Sequence, residues 1–179
     1  MAISIQPVII EQAARLSELA ISIYKEHYLY LWNEGGAEWY MYEFAYATSV
    51  IRNELEDKNN LYFFLVLDDT PIGYLKLKLN AKLHETNAAD SLEVERIYIH
   101  QEYTGRGLGK QMLMWSEAVA KQHHKKSIFL KAMDSSADAI RFYRSNGYVQ
   151  SGYFQLPMPT FQFMKEEFRG MIILKKDLS

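Results

Sequence analysis

The chain has 179 residues, of which 49% are hydrophobic and 23% charged, and its formal net charge at pH 7 is −2. This length and composition predict a single folded domain, residues 1–179, large enough to bury a proper core. The small net charge and the lack of a long basic stripe give no reason to expect a nucleic-acid partner, and the absence of cysteine excludes a disulfide, a thiolate metal site and a catalytic thiol.

The N-terminal half of the chain is predicted to contain a strand, two helices and a hairpin. The strand covers residues 3–8, and two apolar runs, residues 61–67 and 72–79, form the hairpin across the turn Asp68-Asp69-Thr70-Pro71. Apolar side chains recur at helical spacing in two segments: Leu16, Leu19, Ala20 and Ile23 in the first, and Trp39, Tyr42, Tyr46 and Val50 in the second. These elements are typical of a mixed α/β domain.

The C-terminal half continues the alternation of strands and helices. An apolar strand, residues 92–99, runs into a glycine-rich loop and then a helix from about residue 108 to residue 123. A strand at residues 127–132, a second helix and two strands, residues 148–156 and 171–174, complete the predicted sheet.

The glycine-rich loop Gly105–Lys110 has the sequence G-R-G-L-G-K. Glycines let the backbone approach a phosphate closely, and the first N–H groups of the following helix have no partner within the helix. A P-loop needs Ser or Thr after Gly-Lys, whereas Gln111 follows here, and a dinucleotide fingerprint needs G-x-G-x-x-G. The loop therefore predicts a different anion cradle, although such a loop alone is also compatible with a simple turn.

The strand before the loop changes the parity of its apolar positions. Leu92 and Val94 are even-numbered, whereas Ile97 and Ile99 are odd-numbered. An extra residue near Glu95 and Arg96 would explain the change as a β-bulge, which leaves backbone groups unpaired and splays the sheet. The alternative is a strand buried on both faces that needs no bulge. A splayed strand that runs into an anion-binding helix suits a ligand with a long polar arm and a pyrophosphate, such as an acyl-coenzyme A.

Two segments resemble the GNAT superfamily of N-acetyltransferases. Residues Ile97–Gly109 resemble its motif A, whose loop reads Q/R-x-x-G-x-G/A, and residues Ser136–Tyr148 resemble its motif B, N-x-x-A-x-x-F-Y-x-x-x-G-F. Thr104 stands where Gln or Arg is usual, and Ser136 stands where Asn is usual. The first departure removes a side chain but keeps the backbone cradle, and the second affects one hydrogen bond to the cofactor.

The resemblance implies an α/β (α+β) domain with a three-layer fold, in which helices flank a mixed, mostly antiparallel sheet with a splayed and bulged fourth strand. It also implies acetyl-CoA as co-substrate. No metal is expected, because the five histidines show no credible ligand spacing. The residues implied to bind acetyl-CoA are Ile97, Tyr98, Ile99, Thr104, Gly105, Arg106, Gly107, Leu108, Gly109, Lys110, Ser136 and Tyr143.

Acetyl transfer to an amine needs a donor to the oxyanion, a proton for the leaving thiolate and a base for the amine. Backbone N–H groups of the bulged strand are candidates for the first task. Tyr143 occupies the family's acid position, and a phenol with a pKa near 10 keeps its proton at neutral pH, although this ring could also only pack. Glu93 and Glu95 share one strand face and are candidates for the base, since neighbouring carboxylates raise each other's pKa. A solvated strand face is the alternative for this pair.

The acceptor is expected to bind at the least family-typical segment, residues 25–46. Aromatic faces and carboxylates suit a desolvated cation, and the paired glycines Gly35 and Gly36 suit a mobile flap. The segment holds the aromatic and imidazole side chains His27, Tyr28, Tyr30, Trp32, Trp39, Tyr40, Tyr42 and Tyr46, together with Glu34 and Glu38. Part of this set, Trp39, Tyr42 and Tyr46, is expected to be core.

Three functions remain compatible with the sequence. The favoured one is acetyl-CoA-dependent N-acetylation of a small primary amine, such as a polyamine, by direct transfer in a ternary complex, because Leu92–Ile99 is similar to the corresponding strand of bacterial spermine/spermidine N-acetyltransferases. The alternatives are a protein acetyltransferase, acting on lysine or an N-terminus, and a non-catalytic acyl-CoA-binding module. The N-terminus lacks a basic region followed by a long apolar run, so we expect a cytoplasmic protein without a membrane partner, and a homodimer is one option for its oligomeric state.

Overall fold

The computed structural model describes residues 2–84 and 86–179. These ranges contain seven strands: β1 (Ile3–Pro7), β2 (Asn60–Leu67), β3 (Thr70–Lys78), β4 (Ser91–Ile99), β5 (Ser127–Met133), β6 (Val149–Gln155) and β7 (Gly170–Asp177). They form one sheet in the order β1-β2-β3-β4-β5-β7-β6. Neighbouring strands are antiparallel except β4 and β5, which run parallel. The predicted mixed, mostly antiparallel sheet is therefore confirmed.

Helices cover both faces of this sheet. They are α1 (Ala13–His27), α2 (Gly36–Trp39), α3 (Thr48–Glu56), α4 (Leu108–Gln122) and α5 (Ala137–Ser145). One core cluster joins α1 to side chains such as Tyr62 and Tyr74, and a second joins α4 to Leu75, Leu77 and Val94. The alternation of residues 74–77 in β3 explains the division, because successive side chains point to opposite faces. The three-layer arrangement is thus confirmed.

The predicted helix through Trp39, Tyr42, Tyr46 and Val50 is wrong in its details. Residues Tyr40–Ala45 form a π-helix, and α3 begins only at Thr48. The wider turn of a π-helix shifts the spacing at which side chains share a face. Tyr42 is consequently 49% exposed, whereas Tyr46 is fully buried.

The predicted bulge in β4 is confirmed at Glu95. Lys76 of β3 pairs with Arg96, and the next residue, Leu77, pairs with Val94, so that Glu95 is the extra residue. On the other side of β4, the parallel pairing with β5 ends at Val94 and Leu130. Residues 95–99 of β4 have no partner in the register with β5, and the two strands diverge from this point.

A group of charged side chains, here called the bulge cluster, surrounds Glu95. The Lys76 ammonium lies 2.7 Å from Glu54 and 2.5 Å from Glu95, although Lys76 is only 1% exposed. The Arg96 guanidinium donates to the Tyr62 hydroxyl at 2.9 Å, and that hydroxyl donates to Glu54. A buried ammonium is tolerated only when anions compensate it, so these contacts tie the bulge to β2, β3 and α3.

We predict that Lys76→Met destabilises the protein. Each carboxylate that loses this partner keeps about a quarter of its side chain in water. The free energy of unfolding should therefore fall by about 1–3 kcal/mol, less than the roughly 3–5 kcal/mol for a fully buried pair. Urea unfolding measures the difference.

Lys78→Met is the matched control for this substitution. Lys78 lies 3.3 Å from the same Glu95, but its side chain is 36% exposed. An exposed ion pair contributes about 0–1 kcal/mol, so this variant should be nearly neutral. Equal losses of stability in the two variants would contradict the structural role of the bulge cluster.

Candidate active site

The divergence of β4 and β5 opens a cavity of about 420 Å³. Its floor consists of residues 93–98 of β4 and 130–133 of β5. The walls are aromatic and apolar, and their members are Tyr24, Tyr28, Leu31, Tyr40, Phe44, Phe154, Leu156, Phe161, Met164 and Met171. The cavity is therefore bordered both by the unpaired backbone of β4 beyond Val94 and by apolar side chains.

The glycine-rich loop joins β4 to the first turn of α4. Gly105 (φ +73°) and Gly107 (φ +78°) have left-handed backbones, and a Cβ at either position would meet nothing within 4 Å. The N–H of Gln111 is bonded to the Gly107 carbonyl at 3.2 Å. The N–H groups of Leu108, Gly109 and Lys110 precede it in the first turn, where no intrahelical acceptor exists. The glycine backbone and the helix N–H groups thus lie where the predicted anion cradle requires them, and anion binding itself stays a prediction.

Two polar side chains of the loop are bonded to backbone carbonyls just before it and are therefore engaged in the turn itself. Thr104 donates its hydroxyl to the Gln101 carbonyl at 2.8 Å, and the guanidinium of Arg106 donates to the Glu102 carbonyl at 2.9 Å. Leu108 is buried in the core with a 6% exposed fraction, so only its backbone faces a ligand. Lys110 is exposed.

Helix α1 holds the start of the loop through Glu26. Its carboxylate lies 2.7 Å from Nδ1 of His100 and accepts the N–H of Gln101 at 2.8 Å. Burial alone would raise the pKa of Glu26, but the hydrogen bonds from Gln101 and His100 lower it. The sequence did not predict these hydrogen bonds, because Glu26 and the loop are more than 70 residues apart.

Ile97, Tyr98 and Ile99 lie on the edge of β4 beyond the bulge. The side chains of Ile97 and Ile99 pack against the second core cluster, and Tyr98 packs against the first, between Tyr28 and Tyr74. Nε2 of His27 lies 3.1 Å from the Ile99 carbonyl. The side chains are therefore committed to packing, and backbone groups are what this edge can offer a ligand.

Tyr143 and Ser136 both line the cavity from α5 and its N-terminus. The Tyr143 ring packs against Phe142 and Tyr148, with centroids 5.2 and 6.2 Å away, and its hydroxyl forms no hydrogen bond to any residue in the described ranges. Burial raises the pKa of Tyr143, and Tyr28 adds to the effect. Ser136 precedes α5, but its side chain does not cap the helix, so the hydroxyl is left for other partners.

Glu93 and Glu95 both line the cavity, as their shared face predicts, but each has a lysine partner. Glu93 pairs with Lys131 at 2.9 Å, and Glu95 pairs with Lys76 and Lys78. The expectation of a raised pKa is wrong for Glu95: burial alone would raise it, but Lys76, Arg96 and Lys78 together lower it. A carboxylate with a lowered pKa is a weak base.

The segment predicted to bind the acceptor contributes only part of the cavity. Tyr28 and Tyr40 line it, whereas Trp32 and Tyr46 are core residues. Tyr30 and Tyr42 are about half exposed, and Glu34 and Glu38 are exposed and outside the lining. The predicted carboxylate-rich flap is therefore not what faces the cavity.

The glycine pair of this segment has two different environments. Gly35 has a left-handed backbone (φ +78°) before α2. Gly36 is packed so closely that a Cβ would lie 2.9 Å from the Trp32 ring and 2.7 Å from the Phe163 Cβ. Gly36 thus allows residues 32–36 to pack against the C-terminal part of the chain.

The C-terminal segment supplies the walls that sequence reasoning missed. The N–H of Asn33 bonds to the Phe163 carbonyl at 2.8 Å, and the N–H of Lys165 bonds to the Leu31 carbonyl at 2.9 Å. These bonds bring Phe161 and Met164 to the cavity. Only the pair Pro157 and Pro159 marked this connection in the sequence.

Two other kinds of site are absent from the described ranges. No helix in residues 2–84 or 86–179 is long and apolar enough to cross a bilayer. The same ranges contain no group of three or more His, Asp or Glu side chains that could hold a metal ion.

Comparison with known proteins agrees with this architecture. The chain is 27% identical over 152 residues to the spermidine N(1)-acetyltransferase of Thermoplasma acidophilum, a match that covers 83% of this chain and 89% of that protein. It is 32% identical over 94 residues to an uncharacterized N-acetyltransferase of Lactobacillus delbrueckii subsp. lactis, covering 52% of this chain and about half (54%) of the relative. The crystal structure of PaiA N-acetyltransferase from Thermoplasma acidophilum in complex with coenzyme A has a TM-score of 0.77 at 23% identity, covering 99% of this chain and 100% of that one, which shows a shared fold.

The family model for the acetyltransferase (GNAT) family matches residues 21–148, well over half of the chain. The match contains the bulged strand, the glycine-rich loop and α5. The chain therefore belongs to the acetyltransferase (GNAT) family, an enzyme family that uses acetyl-CoA.

Proposed function

We propose that the protein transfers an acetyl group from acetyl-CoA to a small primary amine by direct transfer in a ternary complex. The single observation that carries the proposal is the opening of the sheet between β4 and β5, which exposes one strand edge to a cavity that Tyr143 and aromatic side chains line. A chain without cysteine offers no thiol to carry the acetyl group, which favours direct transfer.

The residues fit acetyl-CoA as follows. The pyrophosphate suits the cradle of Thr104–Lys110, where two left-handed glycines have open space above them and the first N–H groups of α4 lack acceptors. The amides of the pantetheine arm suit the unpaired edge Ile97–Ile99. Ser136 suits a polar contact from the opposite wall, because its side chain makes no capping bond.

We predict that Gly107→Val weakens the binding of CoA. A side chain at Gly107 would project into the open space through which a phosphate approaches. The Kd of CoA, measured by calorimetry, should rise at least about tenfold, which corresponds to roughly 1.4 kcal/mol.

The control separates this effect from backbone strain. Gly35 has the same φ of +78°, also has open space around its Cβ position, and also precedes a helix. Gly35→Val should therefore suffer the same strain while the Kd of CoA stays unchanged. An unaltered Kd in a folded Gly107→Val protein would refute the cradle.

Tyr143 is proposed as the proton donor. Acetyl-CoA supplies an activated acetyl group, whose transfer to an amine releases a thiolate. The buried Tyr143 phenol has a raised pKa and no competing hydrogen bond in the described ranges, so it holds its proton throughout the neutral range and can direct it at a ligand. A raised pKa makes full proton transfer costlier, and hydrogen bonding to a developing anion is the contribution that such a phenol makes most readily.

We predict that Tyr143→Phe lowers kcat by roughly 10²-fold with little change in the Kd of CoA, because only the hydroxyl is removed. Single-turnover measurements report the chemical step directly. Tyr153→Phe, at a tyrosine of β6 that is 56% exposed, is the matched control and should behave as wild type. A wild-type single-turnover rate in Tyr143→Phe would exclude this role.

A small primary amine is proposed as the acceptor, and polyamines are the first candidates. The support is the relative named a spermidine N(1)-acetyltransferase and the aromatic walls of the cavity, since aromatic faces attract cations. Glu93 and Glu95 are both proposed as the base that takes the proton of the attacking amine, directly or through water.

The acceptor is tested by acetyl-CoA consumption with polyamines, simple monoamines, aminoglycosides, amino acids and peptides. We expect turnover with small primary amines, a rate that rises from pH 6 to pH 9 as the attacking amine loses its proton, and intersecting initial-rate patterns for a ternary complex. Turnover of peptide lysines or N-termini alone would replace this proposal with a protein acetyltransferase. CoA binding without turnover of any acceptor would leave a binding module.

A further inference from the structure

The cavity contains a carboxylate that is almost completely buried. The Glu93 side chain is 8% exposed and lies two residues before the bulge, where β4 and β5 are still paired. Its ion-pair partner among the described residues is Lys131, at 2.9 Å. A carboxylate so deep in the protein needs a cation or several hydrogen bonds, so the ammonium of Lys131 satisfies a strong local requirement.

The ammonium of Lys131 has the surroundings of a bound cationic ligand. Its Nζ lies 5.9 Å from the centroid of the Phe129 ring and 5.8 Å from that of Phe154. A carboxylate and two aromatic faces are the groups that stabilise an alkylammonium ion away from water. Both Lys131 and Phe154 line the cavity, and Lys131 is the first residue of β5 beyond its last pair with β4.

Lys131 can move away from Glu93, whereas Lys76 cannot move away from Glu95. The Lys131 side chain is 40% exposed, whereas the side chain of Lys76 is 1% exposed and is held by two carboxylates. A flexible side chain that is already partly in solvent can swing away at a smaller cost than a fully buried one. Of the two carboxylates in the cavity, Glu93 is therefore the one whose cation can be exchanged.

We infer that Glu93, Phe129 and Phe154 form an alkylammonium subsite that the side chain of Lys131 occupies, and that an acceptor with a second ammonium group enters it by displacing Lys131. The inference rests on the proposed function only in calling that ligand the acceptor. Lys131 is thus a specificity-determining residue: it competes with diamines and polyamines for Glu93 and raises the concentration at which they bind.

The test measures binding of butane-1,4-diamine by calorimetry to the protein with CoA present. Lys131→Met removes the competing charge and keeps the apolar stem, so the Kd of the diamine should fall by about tenfold. Butane-1,4-diol, a neutral analogue, should show no such change. Adding Glu93→Gln to Lys131→Met should abolish the gain, because the anchor itself is then neutral.

Three further variants test whether the charge and the position of Lys131 cause the effect. Lys131→Arg keeps the charge and should bind the diamine no better than wild type. Lys126→Met removes a lysine that pairs with Asp90 at 3.0 Å outside the cavity and should leave the Kd unchanged. Lys131→Gln is a second neutral variant whose amide can still donate to Glu93, for use if Lys131→Met destabilises the fold.

The outcomes distinguish the subsite from the proposed function. An unchanged diamine Kd in the folded neutral variants, or a gain that persists with Glu93→Gln, overturns the subsite even if the enzyme acetylates amines. Tighter diamine binding in an enzyme that acetylates no amine supports the subsite and refutes the function. Where amines are turned over, kcat/KM for the diamine should rise relative to butan-1-amine in Lys131→Met.

Discussion

The site depends on one constraint of strand pairing. Beyond Val94, β4 stays paired with β3 and is no longer paired with β5. The extra residue Glu95 keeps β4 in register with β3 up to Ile99, while the parallel pairing with β5 ends at Leu130. Unpaired backbone groups in a protein interior need partners from elsewhere. In the complex that we propose, the amides of the pantetheine arm of acetyl-CoA satisfy that need, and the cradle at the end of the same strand accepts the pyrophosphate. The cavity and the proposed contacts with the pantetheine arm thus have the same structural origin, the end of the pairing between β4 and β5.

The bulge needs electrostatic support because it brings Glu95 and Arg96 onto the same face of the sheet. Arg96 lies over the Tyr46 ring at 5.0 Å and 3.7 Å from the Glu54 carboxylate, while Glu95 bonds to Lys76. Each charge is thereby compensated by a neighbour on an adjacent strand or helix. This arrangement explains why Lys76 of β3 is buried: Glu54 of α3 and Glu95 of the bulge supply the anions that its ammonium needs.

The local features of the site could be predicted from the sequence, whereas the partners of its charged groups could not. The parity change between Val94 and Ile97 and the spacing of Gly105, Gly107 and Gly109 are properties of contiguous residues. The bulge predicted from the first is confirmed, and the turn and helix start predicted from the second are present, whereas anion binding stays a prediction. The cations of Glu93 and Glu95 come from β5 and β3, and their identity depends on strand register, which no contiguous pattern encodes. The π-helix at Tyr40–Ala45 shifted the aromatic positions, and the wall from Phe161 and Met164 depends on backbone bonds between residues about 130 positions apart.

Glu93 and Glu95 show how two carboxylates on one strand face acquire different properties from their partners. A carboxylate that is neutralised by a buried lysine in a network cannot release that lysine without exposing several charges to a poor solvent, so its ionisation is coupled to folding. A carboxylate that is neutralised by one lysine with a partly exposed side chain can exchange it for another ammonium of equal charge, and the net charge of the protein interior then stays the same. The first arrangement suits a support for the bulge and the second suits a binding site. For a cationic acceptor, the contribution of the cavity is therefore determined less by its number of carboxylates than by how firmly each is already paired.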